Sequence, residues 1–140
     1  MNQQSAKLST PATIVSWIFQ VIAAVIMLQT LFFKLTGAPE SIYIFTTIGA
    51  EPVGRYGSAV AELIAGVLLL WPRFSWAGAG LGIGVMLGAI GAHLGPLGIE
   101  IVVDGQSDGG TLFGMAVVTL ISCIVVLALR FKQIPFLKKS

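Results

Sequence analysis

The sequence predicts an all-α membrane protein: a bundle of four transmembrane helices, with a short external interfacial helix between spans 1 and 2. Three observations carry this. Hydrophobic residues make up 56% of the chain and charged residues only 10%, against about 25% charged in a soluble domain. Four apolar stretches approach the roughly 20 residues that a helix needs to cross a bilayer. Basic and acidic residues also fall on opposite ends of those stretches.

In chain order, the first span is expected over about 13–35, after a polar start that carries Lys7. Its apolar run exceeds the roughly 7–15 residues of a signal peptide and has no small-residue cleavage site, so it reads as a retained span. Glu40 to Glu51 follows, with Ile42, Ile44, Phe45 and Ile48 among polar residues, as an outer surface helix would have. The second span is expected over about 53–71, and Pro72-Arg73 then makes a tight turn. The third covers about 74–94 and ends at Gly95-Pro96, since proline cannot continue a helix. Ile99 to Gly110 reads as a short extended piece and a turn, with Asp108 capping the fourth span at about 110–131. The whole chain, 1–140, is one membrane domain.

Charge sets the orientation. Lys7, Arg73, Arg130, Lys132, Lys138 and Lys139 lie on one side, and Glu40, Glu51, Glu100, Asp104 and Asp108 on the other. Lys and Arg are retained on the cytoplasmic face, which puts both termini inside and places the chain in a cell membrane, expected to be a bacterial inner membrane. Trp17, Trp71 and Trp76 fall at the inner boundary, and Tyr43 and Tyr56 suit the outer one. A net charge of +2 without a basic, aromatic-interleaved cluster excludes nucleic acid as a partner. The single cysteine, Cys123, cannot form an intrachain disulfide, and no Cys-x-x-Cys is present.

Four ionisable residues stand where a membrane helix should have none. Glu62 lies near the middle of the second span, where a carboxylate costs a few kcal/mol and must face protein or water. At about 100° per residue, Arg55, Ser58, Ala59, Ala65 and Gly66 share its side, while Val60, Ile64, Val67 and Leu68 occupy the other. Lys34 shares a face of the first span with Ser16, Gln20, Ala23, Met27 and Thr30, and His93 ends the third span. Lys34, Arg55 and His93 therefore sit at similar depth with Glu62 below them. Turned inward, they make one polar ligand-binding pocket near the outer side. The plainer alternative is a buried Glu62 pair with Arg55 or Lys34 that only fixes helix packing. One His with scattered acids is not a metal set. Gly80, Gly84 and Gly88, continued by Gly91, form a small-residue stripe, expected to pack inside the bundle or, second, to form a homo-oligomer seam.

The sequence resembles the DoxX-like family of small four-span integral membrane proteins. The resemblance rests on an ordered set of segments: Phe33-Lys34-Leu35-Thr36-Gly37, Glu51-Pro52 with Arg55, Ala61-Glu62-Leu63, Gly88-Ala89 with His93, and Asp108-Gly109-Gly110. It extends over about 13–130 and implies a four-helix membrane bundle with its polar residues at Lys34, Arg55, Glu62 and His93. Some relatives are linked to thiosulfate oxidation with quinone as acceptor, others to membrane oxidoreductase complexes that handle thiol stress. No residue commits this chain to thiosulfate. The expectation is a subunit or accessory of a membrane redox system that binds a quinone or another small molecule, with electrons supplied by a membrane or soluble oxidoreductase partner. The competing expectation is a non-enzymatic protein that assembles with or stabilises a larger membrane complex.

Overall fold

A computed structural model describes residues 8–135; Lys7, Lys138 and Lys139, assigned above to the inner side, lie outside them. Among the described residues there are five α-helices: α1 (Thr10–Thr36), α2 (Pro39–Thr47), α3 (Val53–Leu69), α4 (Ser75–Ala92) and α5 (Thr111–Leu129). Each long helix lies within three residues of an expected span, and α2 occupies the first two thirds of the stretch from Glu40 to Glu51. The four long helices form a ring in which α1 packs on α3, α3 on α4, α4 on α5 and α5 on α1.

Local chemistry sets the helix ends. Ser9 opens α1, its hydroxyl accepting from the Ala12 N–H at 3.2 Å. Gly37 closes α1 in the left-handed conformation (φ +70), the position where glycine carries no Cβ penalty. Pro72 follows α3, and a single 3-10 turn over Pro72–Phe74 reverses the chain into α4. The α4 helix stops at Ala92, two residues short of the expected end. A wide turn over His93–Leu97 follows, with Gly95 outside helical geometry just before Pro96. Between α4 and α5, Val102–Val103 (β1) pairs antiparallel with Gln106–Ser107 (β2) across an Asp104-Gly105 turn with both φ values positive, as a two-residue hairpin requires.

Among the described residues, three helical stretches are long and apolar enough to cross a membrane: Thr10–Thr36, Pro72–Leu97 and Thr111–Leu129. At 17 residues, α3 is the short member; its rise is about 25 Å against a hydrocarbon core of about 30 Å.

The inward faces follow the helical period. On α3 the buried residues are Arg55, Ala59, Glu62, Ala65, Gly66 and Leu69, while Val60, Ile64 and Val67 are exposed. Ala23, Met27, Ala65, Leu69, Met86, Ala116 and Cys123 fill the middle of the ring. Exposed large apolar side chains cover the outside, among them Ile14, Val25, Val60, Leu87 and Ile121. In a soluble protein this would be a liability, whereas in lipid it is the required surface.

The glycine stripe needs correction. A Cβ at Gly80, Gly84, Gly88 or Gly91 would meet nothing within 4 Å, so this stripe does not seat α4 against its neighbours. Close approach occurs one face away. A Cβ at Gly78 would stand 2.6 Å from the Leu69 backbone nitrogen, and one at Gly82 would stand 2.7 Å from Cys123 Sγ. Both series recur every four residues, so spacing alone does not say which one faces protein.

Candidate functional site

Polar side chains gather at two ends of the ring. Near the end that carries α2 and the hairpin, Lys34 on α1 meets Glu62 on α3, with Nζ 3.0 Å from Oε1. Thr30, one turn below Lys34, lies with its hydroxyl 3.2 Å from both carboxylate oxygens and donates among them and the Met27 carbonyl. Glu62 is 2% exposed. A charge so placed needs a partner, and the first helix supplies it. The Lys34 ammonium also lies 5.5 Å from the centre of the Phe45 ring on α2.

Beside this pair is a partly open cavity of about 760 Å³, lined by residues of all five helices. Its wall is mainly apolar. Ile26 and Phe33 come from α1, Ile44 and Phe45 from α2, Val85 and Met86 from α4, and Leu112 and Met115 from α5. Lys34, Glu40, Glu62, His93 and Asp108 supply ionisable groups to the same wall. Gly84 and Gly88 line it too, which explains the open space at two positions of the stripe.

His93 stands at the turn where α4 ends. Its Nδ1 lies 2.9 Å from the Gly98 carbonyl oxygen, and its ring meets Phe113 edge-on with centroids 5.6 Å apart. A carbonyl only accepts, so Nδ1 carries the proton. Asp108 holds the next loop. Its Oδ1 accepts from the N–H groups of Ile101 (2.9 Å) and Gly110 (2.8 Å), and its Oδ2 from that of Leu112 (3.1 Å). Partial burial alone would raise the Asp108 pKa, but these three donors, with His93 nearby, outweigh it and hold the carboxyl below its ordinary range. The expected cap at the start of α5 is present, made from two residues ahead of Gly110, the residue that immediately precedes the helix.

Of the four residues picked from sequence, Lys34, Glu62 and His93 line the cavity, and Arg55 does not. Its partner is Glu51, one turn earlier, with Nη2 2.8 Å from Oε1 and Nε donating at 2.8 and 3.0 Å. Nη1 donates to the Lys34 carbonyl, and the guanidinium carbon lies 4.5 Å from the Tyr56 ring centre. The choice left open for Glu62 therefore falls on Lys34. Arg55 instead ties the start of α3 to the end of α1.

Sequence reasoning missed the second cluster. At the other end of the ring, Arg130 follows α5 and is 4% exposed. Its Nε–H is shared between Ser16 Oγ (2.8 Å) and Gln20 Oε1 (2.9 Å), and Nη1 donates to Gln133 Oε1 at 3.1 Å. Gln20 also accepts from the Ser16 hydroxyl at 2.6 Å. Its amide donates to the Leu69 carbonyl at 2.6 Å and to Ser75 Oγ at 3.1 Å. One neutral side chain thus joins α1, the end of α3, the start of α4 and the end of α5. The signal was Gln20 in an otherwise apolar run. Arg130 was counted only as an inner-side charge.

Apolar helices of this length around buried polar clusters define a helical integral membrane protein in contact with the lipid bilayer. No protein-family model, no curated protein and no solved structure matches the chain.

Proposed function

We propose that this is a DoxX-like membrane protein with four spans, α3 being the fourth, whose cavity takes a small membrane-borne molecule with a polar ring head. The chemical class favoured is a quinone, and the role is subunit or accessory of a membrane redox system. The observation that carries the reading is the cavity. It is large, mainly apolar, and has Lys34, Glu62 and His93 on its wall. Ligand pockets of about 300–1,000 Å³ with apolar walls and a few polar groups suit ring-bearing molecules. Small inorganic anions fit poorly, because the one ammonium on the wall is already neutralised by Glu62. A bound quinone would supply two-electron, two-proton chemistry. Lys34 would hold its head, and Glu62 would move protons to and from it.

The test is purification in a mild detergent, followed by solvent extraction and mass spectrometry. A stoichiometric ring compound, lost when Met115→Trp fills the cavity, supports the reading. A stoichiometric protein partner with no small molecule overturns it in favour of the second reading, a non-enzymatic assembly or stabilising subunit. That alternative draws support from the open face of α4 at Gly80 and Gly91, which a partner helix or a second copy would fit. For topology, reporters at both termini and near Pro72 should read cytoplasmic, and those near Gly49 and Gln106 external. A single external terminus overturns the four-span arrangement.

A further inference from the structure

We propose that His93 is a specificity-determining acceptor, so that the cavity prefers a head that donates a hydrogen bond, a ring hydroxyl, over one that only accepts, a ketone. This rests on the reading of the cavity as a site for a ring-bearing ligand and goes beyond it by fixing the polarity of the head.

The argument is one of hydrogen-bond roles. On the cavity wall Glu62 is committed to Lys34 and Thr30, and Asp108 to three backbone N–H groups, while Glu40 on α2 is exposed to the outside. His93 is half committed. Its Nδ1–H is held by the Gly98 carbonyl, which in the neutral imidazole leaves the lone pair on Nε2. No described residue bonds to Nε2. Among the described residues the only buried side-chain polar atom without a partner is Thr119 Oγ1, so Nε2 is not sealed in the protein. His93 lines the cavity, and the atom is therefore open to a ligand there. Lys34, 14% exposed, has N–H groups left for a ligand after Glu62 is served. A hydroxyl satisfies both sides, accepting from Lys34 and donating to His93. A ketone can only accept, and it would leave Nε2 desolvated and unpaired against an apolar wall. A site built to bond a hydroxyl rejects its donor-less analogue because its own polar atom is then stranded.

The experiment is anaerobic binding to the detergent-purified protein, read by tryptophan fluorescence or calorimetry, with three probes: 1,4-naphthohydroquinone, its dimethyl ether and 1,4-naphthoquinone. The hydroquinone should bind about tenfold more tightly than either of the others, the loss expected for one unmade hydrogen bond. In His93→Phe the three should bind within about twofold of one another. His93→Asn, which keeps a donor for Gly98, provides a second variant should the first fail to fold, and it too should lose the preference. Equal binding of all three to the unaltered protein, or tighter binding of the quinone, overturns the assignment of His93 while leaving the cavity as a ring site. If no probe binds, the reading of the cavity fails, and the assignment fails with it.

Discussion

The two polar clusters use similar chemistry to opposite ends. At the α2 end, two full charges meet across α1 and α3 beside a cavity of about 760 Å³. At the other end, one guanidinium is surrounded by neutral acceptors, Ser16, Gln20 and Gln133, and that cluster lines no part of the cavity. Burial cost alone would flag both as functional, since any ionisable group in a membrane bundle is expensive. What separates them is room and spare capacity. Gln20 uses both its oxygen and its amide on protein partners, and Ser16 both donates and accepts. Lys34 and His93 keep groups in reserve beside open space. A closed network specifies packing, and an open one leaves something to bind.

The contrast predicts that the closed cluster matters most for stability. Gln20→Leu should cost about 3 to 5 kcal/mol, because it removes four buried hydrogen bonds at once, one of them to the Arg130 guanidinium. Thermal melting in detergent measures this. A loss below about 1 kcal/mol would mean that water reaches Arg130, and the clusters would no longer differ in the way described.

At the open cluster, Glu62→Gln leaves the Lys34 ammonium unpaired. The cavity gives that ammonium some access to water, so about 1 to 3 kcal/mol is expected, less than a sealed pair would lose. Adding Lys34→Met should restore part of it, whereas adding Arg55→Met should not, since Arg55 serves Glu51. Equal rescue by both would show that Arg55 also feels Glu62.

Two glycines sharpen the same comparison. Gly82→Leu forces a side chain into Cys123 and Met27, an overpacking that typically costs about 1 to 3 kcal/mol. Gly84→Leu, two residues further along, points into open space beside the cavity. It should leave melting nearly unchanged while weakening binding of the naphthohydroquinone probe.

The smallest effect is a pH dependence at Asp108. Its folded pKa lies below the ordinary 3.8. Its contribution is therefore complete above about that pH and is lost as the pH falls through the lower folded value. An acid titration of melting should show this step in the unaltered protein and not in Asp108→Asn.

Much of this was legible in the sequence, and the reasons are physical. Helix positions follow from long apolar runs bounded by proline and glycine. The inward face of α3 follows from the 3.6-residue period, which put Glu62 beside Ala59 and Ala65 before any contact was known. Glu62 was conspicuous because a charge there is costly. Gln20 was not, because a neutral amide in an apolar run raises no alarm, although it makes four side-chain hydrogen bonds where Arg55 and Arg130 make three each. Arg55 was misplaced because depth was judged along the helix axis, while its true partner, Glu51, lies in the turn before α3. The glycine stripe failed for a related reason: a period of four fixes a face but not what that face meets.

Cys123 gains a use from its place against Gly82. The chain has one thiol, and it is fully buried on α5 against Gly82 of α4. No reagent reaches it while the ring is shut. The rate at which a small thiol-reactive dye labels the native protein is then a clock for the parting of those two helices. A ligand in the cavity should slow that clock, so occupancy of the site can be timed from a sulfur atom that never touches it.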